Sequence, residues 1–345
     1  NLVKKLIFPL LAIALPIVVS LALYQNVEQP EKSINVVLHQ PNIDPYTGKY
    51  QLTNTKFLEQ FSKQIKPYLD QDTDYVLSPE TYFAEGPGEK LESFDQSILF
   101  QKIQRELLPF PKLQWITGIQ FYKLYQQNDL PTLSANKVRN GLWVDYYNSA
   151  FSAQSKKASQ IYHKSKLVVG IENMPLKSIL NPILGDLMID LGGTVAGRAT
   201  QKKRTNFEHP NLDFKAGPVI CWESVFGEFI TGYVQNGASF LAVISNDAWW
   251  KNTPGHRQLL SYTRLRAIET RRDIARSANT GISAIIDARG EILKQTTYET
   301  QIVLTGSIAP RNNLTFYVRY GDIIGRWAVF IFGIYLLLAI SGRLK

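Results

Sequence analysis

The chain is 345 residues long with a formal net charge of +9, and it is 45% hydrophobic and 19% charged, which excludes a disordered chain and leaves material for a large core. Its single cysteine excludes an intrachain disulfide, so outside the cytoplasm the body is held by its core alone. The charge admits a nucleic-acid surface, an anionic membrane surface or an ordinary basic one, and the dispersed Lys and Arg residues, with no recognition motif among them, argue against nucleic acid.

From Leu6 to Tyr24 there are 19 residues without a charge, about 28 Å of helix against a bilayer core of roughly 30 Å. A transmembrane helix over residues 1–29 is expected, interrupted by Pro9 and Pro16, which a membrane helix tolerates. The competing reading is a cleaved signal peptide, for which Lys4 and Lys5 supply a basic start but no small-x-small cleavage site follows. The chain begins at Asn1, which suggests a piece or processed product of something longer.

Past the first segment, short apolar runs alternate with helical spacing. Strands are expected at Ile34 to His39, Tyr75 to Leu77, Leu113 to Phe121, Gly141 to Ala153, Val219 to Cys221, Phe240 to Ser245, Gly281 to Asp287 and Ile302 to Ile308. Helices are expected over Tyr50 to Leu69, with Phe57, Leu58, Phe61 and Ile65 on one face, and over Gly255 to Ala278. Asp287-Ala288-Arg289-Gly290 reads as a hairpin turn. This mixture of βα units and hairpins argues for an α/β or α+β body with a buried sheet, and without repeats residues 30–320 read as one domain.

Asn181 to Gly197 is an apolar stretch followed by the basic run Gln201-Lys202-Lys203-Arg204. It reads either as a loop that dips into lipid with its cations on phosphate headgroups, or as a buried helix before a solvated loop. Residues 321–345 form a weaker second span, since Trp327 to Gly342 is uncharged for 16 residues and reaches full length only if Arg326 snorkels. Lys4, Lys5, Arg343 and Lys345 lie outside the two spans, which puts both termini in the cytoplasm and residues 30–320 on the other side.

The lone thiol sits in Gly217-Pro218-Val219-Ile220-Cys221-Trp222-Glu223-Ser224, an apolar strand turning into a helix. Such a turn lifts a side chain into a cleft, but a free cysteine is also commonly a small buried hydrophobe, and the stretch alone leaves both readings open. A nucleophilic thiol needs a base. His39, His163, His209 and His256 occupy unrelated contexts, without zinc-ligand spacing, and neither a GxSxG elbow nor a phosphate loop is present. No metal or cofactor is called for. A carboxylate does end a strand at Ser78-Pro79-Glu80, and a lysine stands in Tyr162-His163-Lys164-Ser165-Lys166-Leu167.

With these stretches, Glu172-Asn173-Met174-Pro175 and Ser245-Asn246-Asp247-Ala248-Trp249-Trp250, the chain resembles the nitrilase superfamily of Glu-Lys-Cys enzymes. Within it the chain resembles the membrane-bound apolipoprotein N-acyltransferases, across roughly residues 34 to 310 and with the motifs in the same order. The resemblance implies a nitrilase-like α-β-β-α sandwich flanked by transmembrane helices. It also implies Glu80 as general base, Lys164 as oxyanion stabiliser and Cys221 as nucleophile. Free Glu and Cys differ by about 4 pKa units, so the proton transfer runs uphill by about 6 kcal/mol in water and must be levelled by burial and by Lys164. The Trp222 backbone N–H would help hold the oxyanion. The resemblance suggests that Glu172 orients Lys164 or assists proton transfer; Glu223 is expected near the site in a structural role, and Asn246, Trp249 and Trp250 are expected to line the pocket.

The function implied is transfer of a fatty acyl chain from a phospholipid, through a Cys221 thioester, to the N-terminal amine of a diacylglyceryl-cysteine apolipoprotein. Its place would be the inner membrane, multi-pass, with the catalytic domain on the periplasmic side. The alternative is an anchored amidase or nitrilase using the same three residues, although a soluble substrate needs neither spans nor an apolar loop; an inert scaffold is a third reading. The family carries a larger bundle of membrane helices ahead of the nitrilase-like domain, of which this sequence holds only the last.

Overall fold

The structure, a computed structural model, describes residues 2–28, 30–45, 52–126, 129–173, 197–251 and 253–342. Its first element is a helix, α1 (Leu2–Gln25), and β1 (Ile34–Gln40) then enters the core. α2 (Asn54–Ile65) starts at Thr53, whose side chain accepts from Lys56 N–H, and buries the Phe57, Leu58, Phe61, Ile65 stripe that the spacing predicts. β2 (Tyr75–Leu77), β3 (Glu89–Lys90), α3 (Ile98–Leu107), β4 (Gln114–Tyr125), β5 (Asn136–Arg139), β6 (Leu142–Ala153) and β7 (Gln160–His163) follow. The second half holds β8 (Phe207–Glu208), β9 (Lys215–Ile220), α4 (Gly227–Gln235), β10 (Phe240–Ser245), α5 (Gly255–Thr270), β11 (Ile274–Ala278), β12 (Ala284–Ile286), β13 (Ile292–Gln295) and β14 (Ile302–Ile308). Two helices end the described chain, α6 (Phe316–Tyr320) and α7 (Ile323–Ile340).

Among the described residues these strands form two sheets, one ordered β14-β1-β2-β4-β6-β5 with β3 beside β4 and β7 beside β6, the other β13-β12-β11-β10-β9-β8. The central strands are buried on both faces, so alternate side chains enter different cores. Val36, Leu38, Tyr75, Leu77 and Ile116 meet Val219, Val243 and Ile285 of the second sheet, in a cluster that continues to Phe229 of α4 and Leu259 of α5. Val37, Val76 and Trp115 point the other way, onto Phe57 and Phe61 of α2 and Phe100 of α3. The layers therefore run helix, sheet, sheet, helix, which is the expected α-β-β-α sandwich.

The expected helix over Gly255 to Ala278 is corrected by the structure. Arg271 adopts a left-handed conformation (φ 50°) that stops α5 at Thr270, and Ile274–Ala278 forms β11, parallel to β10. Two buried arginines hide that strand in the sequence. Arg272 donates to Ala238 O (2.7 Å) and Asn313 O (2.8 Å), while Arg276 pairs with Asp247 at 2.6 Å, both side chains fully buried. The strand expected at Val219 to Cys221 instead starts at Lys215 and ends at Ile220, and Gly281 to Asp287 contributes only Ala284–Ile286. The turn at Asp287 to Gly290 joins β12 to β13, with Gly290 at φ +80°.

Among the described residues, Ile323–Ile340 is long and apolar enough to cross a membrane by length and composition, and Pro9–Gln25 is apolar but shorter. Both are rooted on the second-sheet side of the sandwich. Arg271 donates to Leu23 O at 3.2 Å and Tyr24 hydrogen-bonds Glu291; at α7, Glu228 accepts from Asp322 N–H (2.8 Å) and from Arg326 (2.6 Å). Of the stretch expected to dip into lipid, residues 181–196 lie outside the described residues.

Candidate active site

Glu80 stands just past the end of β2. Ser78 N–H donates to Ile116 O (2.9 Å) and Gly118 N–H to Pro79 O (3.1 Å), which hold the strand end against β4. A side chain at Gly118 would put its Cβ 2.2 Å from Thr81 N and 2.6 Å from the Glu80 backbone, so only glycine permits this approach. Glu80 as a whole is 6% exposed. Its Oε1 accepts from Lys164 Nζ (2.9 Å) and Asn148 Nδ2 (2.7 Å), and its Oε2 from the Asn246 backbone N–H (3.0 Å).

Lys164 follows β7 and is fixed by its own N–H donating to Asn148 O at 2.8 Å. Its ammonium lies between two carboxylates, Glu80 at 2.9 Å and Glu172 at 2.8 Å. Burial pulls the ammonium towards its neutral form, but the charges of Glu172 and Glu80 together outweigh burial and hold its pKa above the ordinary lysine value. Glu172 is fixed in turn by Val168 N–H (2.9 Å) and by the second hydrogen of Asn148 Nδ2 (2.8 Å). Asn148 thus spends both amide hydrogens on the two carboxylates, and its buried Oδ1 has no partner among the described residues.

Cys221 comes from the other sheet. It follows β9 at φ +49° and opens a short 3₁₀ helix to Val225, a conformation that costs a non-glycine residue on the order of 1–3 kcal/mol and persists only where surroundings enforce it. The enforcing group is Glu223, fully buried. Its Oε2 accepts from Ile220 N–H (2.9 Å), and its Oε1 from Ser165 N–H (2.6 Å) and the Tyr162 hydroxyl (2.7 Å). One carboxylate therefore ties the thiol's turn to the segment carrying Lys164. Burial raises the Glu223 carboxyl to about 7 despite these donors. The Cys221 thiol is pushed up by burial first and by the Glu80 charge second, with Lys164 acting in the opposite direction. At rest it is a neutral thiol, sensitive to the charge of both partners.

Asn246, at the end of β10, lines a small cleft of about 10 Å³, room for about one water molecule, with Glu80, Asn279 and Ile43. Trp249 and Trp250 follow on a short 3₁₀ helix; Trp249 is half-buried, and the Trp250 ring lies over Gly255, outside the lining of that cleft. The half-buried Trp222 packs on the inter-sheet core and against Phe226. Asn148, Asn279 and Gly118 carry no sequence signal of their own. They serve Glu80 or the cleft only through partners on distant strands.

An α-β-β-α sandwich with a carboxylate and a lysine on one sheet and a thiol on the other defines a protein of the nitrilase type. Solved structures share the fold: a CN-hydrolase superfamily protein from Xanthomonas campestris matches with a TM-score of 0.53 at 17% identity over 81% of this chain and 91% of that one, and a Nesterenkonia amidase of the nitrilase superfamily with 0.54 at 13% over 87% and 99%. The carbon-nitrogen hydrolase family model matches residues 132–312, and the chain belongs to that family. It is also similar to apolipoprotein N-acyltransferases, at 31% identity with that of Wigglesworthia glossinidia brevipalpis (323 residues; 93% of this chain, 59% of the relative) and 36% with that of Nitrosomonas europaea (202 residues; 58% and 37%). The chain spans less than two thirds of the length of either relative.

Proposed function

We propose that residues 30–320 form the catalytic domain of a membrane-bound apolipoprotein N-acyltransferase, with Glu80 as general base, Lys164 as oxyanion stabiliser and Cys221 as nucleophile. The observation that carries this reading is the buried Glu80–Lys164–Glu172 cluster beside a strained Cys221, in a chain whose likeness to these acyltransferases runs over 93% of its length. As the ester carbonyl of a phospholipid arrives, Glu80 takes the thiol proton and the Cys221 sulfur adds to the carbonyl carbon. Lys164 and the Trp222 N–H stabilise the oxyanion. The lysophospholipid oxygen leaves with the proton from Glu80; the N-terminal amine of a diacylglyceryl-cysteine apolipoprotein then adds to the thioester carbon and gives a proton to Glu80, which returns it to the Cys221 sulfur as the carbon–sulfur bond breaks.

Glu172 has a definite part in this scheme. When Glu80 is protonated, Lys164 loses one counter-charge, and Glu172 keeps the buried ammonium paired through the transfer. Glu223 is the positioning residue for the thiol, and Asn246 is proposed to bind substrate, with Trp249 and Trp250 at the outer edge. Lipid substrates rather than small amides are supported by an open groove of about 800 Å³ that joins Val225, Phe226 and Phe229 beyond the thiol's turn to Val329 of α7, with Lys166, Glu228, Asp322 and Arg326 as its charged lining. On this reading α1 and α7 span the inner membrane and the sandwich lies on the periplasmic side.

Intact-mass measurement after incubation with phospholipid tests the proposal. A fatty-acyl adduct on Cys221 is expected, labile to hydroxylamine and discharged by a lipopeptide amine. A folded protein that takes up no adduct yet turns over a small soluble amide would establish the amidase instead.

A further inference from the structure

Asn246 holds a donor whose direction is set by its neighbours. Asn279 is oriented by the backbone of Ile43, accepting from Ile43 N–H at Oδ1 (2.9 Å) and donating to Ile43 O from Nδ2 (2.6 Å). Its remaining Nδ2 hydrogen faces Asn246 Oδ1 at 3.2 Å. The Asn246 amide is therefore fixed with Oδ1 towards Asn279, and its Nδ2, in a residue 1% exposed at the wall of the Glu80 cleft, has no partner among the described residues. A buried donor without an acceptor is a desolvation cost that an oxygen of a bound ligand would relieve. The backbone N–H of the same residue donates to Glu80 Oε2, and both residues line the same cleft.

The geometry points to Asn246 Nδ2 as the group that holds the leaving-group oxygen of the acyl donor while Glu80 returns its proton. This rests on the acyltransfer reading and deepens it. In the first half-reaction the Cys221 sulfur–carbon bond forms, the ester carbon–oxygen bond breaks, and the departing oxygen takes the proton from Glu80 and leaves as an alcohol. That oxygen has lone pairs to accept from Nδ2 while negative charge builds on it. In the second half-reaction the attacking amine has one lone pair, which forms the new carbon–nitrogen bond, so Nδ2 has nothing to donate to. Asn246 thus acts in loading the thiol with an oxygen ester and is silent in discharging it to an amine.

The test follows the two half-reactions of the full chain separately by intact mass: loading of Cys221 from phospholipid, then discharge by a lipopeptide amine after incubation to full loading. Asn246→Ala is expected to slow loading about 10²-fold and leave discharge unchanged. Asn246→Asp keeps the shape and the Oδ1 acceptor for Asn279 but lacks the donor, and is expected to show the same asymmetry if the alanine variant folds poorly. Equal slowing of both steps would mean that Asn246 only positions Glu80, and unchanged loading would mean that Nδ2 meets no reacting atom; either overturns the inference alone. A wild-type protein that forms no adduct overturns the acyltransfer reading along with it.

Discussion

Replacing Lys164 by Met would leave two carboxylates buried without their shared cation. Their side chains are 7% and 14% exposed and the lysine 2%, with contacts of 2.9 and 2.8 Å. At an effective dielectric near 20 each contact represents about 6 kcal/mol of attraction. Desolvation of the ions offsets most of this, so the net cost of removing the central cation is about 3–5 kcal/mol. The loss arises because Glu80 and Glu172 would then share the Asn148 amide as like charges with no cation between them. Urea unfolding in detergent, followed by tryptophan fluorescence, should place Lys164→Met well below wild type. The double variant Lys164→Met/Glu172→Gln, with one carboxylate fewer, should recover part of the deficit. A Lys164→Met protein as stable as wild type, or a double variant with no recovery, would refute the lysine as the buried counter-ion of this cluster.

Glu80→Gln and Lys164→Met should each suppress acyl-adduct formation on Cys221 by about 10²–10⁴-fold, and wild-type loading rates in both would remove them from the mechanism. The positive φ of Cys221 makes Cys221→Gly more stable than Cys221→Ala by about 1 kcal/mol, against the usual order of the two residues; comparing their urea midpoints checks the strain. The Glu223 carboxyl ionises near 7 in the fold and near 4.5 when unfolded. Its protonated form therefore contributes stability that is complete below pH 4.5 and lost, on the order of 3 kcal/mol, as the pH rises through 7. Glu223→Gln should flatten that slope between pH 5 and 8 and also slow loading, because a side-chain amide can present a donor where Ile220 N–H needs an acceptor.

The parts of the fold legible in the sequence are those where apolar content and flanking turns agree. Tyr75–Leu77, Phe240–Ser245 and Ile302–Ile308 have the expected bounds, because each is a short β-rich run between polar or turn residues, and the expected sandwich class is the observed one. β11 was illegible because Arg272 and Arg276 spend their charge inside the protein, on carbonyls and on Asp247, and only the assembled sheet makes them buriable. The same reason hides Asn148, whose importance lies in two carboxylates brought to it from β2 and from the turn after Lys164. Glu223 could be placed near the thiol by its position two residues away. Its tie to Ser165 and Tyr162 depends on the second sheet closing over the first.

The pairing of β1 with β14 joins Ile34–Gln40 to Ile302–Ile308, so the first strand made waits for almost the last before its edge is covered. Glu80 and Lys164 lie on the sheet that this pairing completes, while Cys221 and Asn246 lie on the other. A ribosome that has just released Cys221 has therefore made a thiol with neither a finished partner sheet nor Asn246. Long-range closure of this kind is slow, so the outer edge of the sheet that carries Glu80 and Lys164 is expected to be covered only after the local elements have formed.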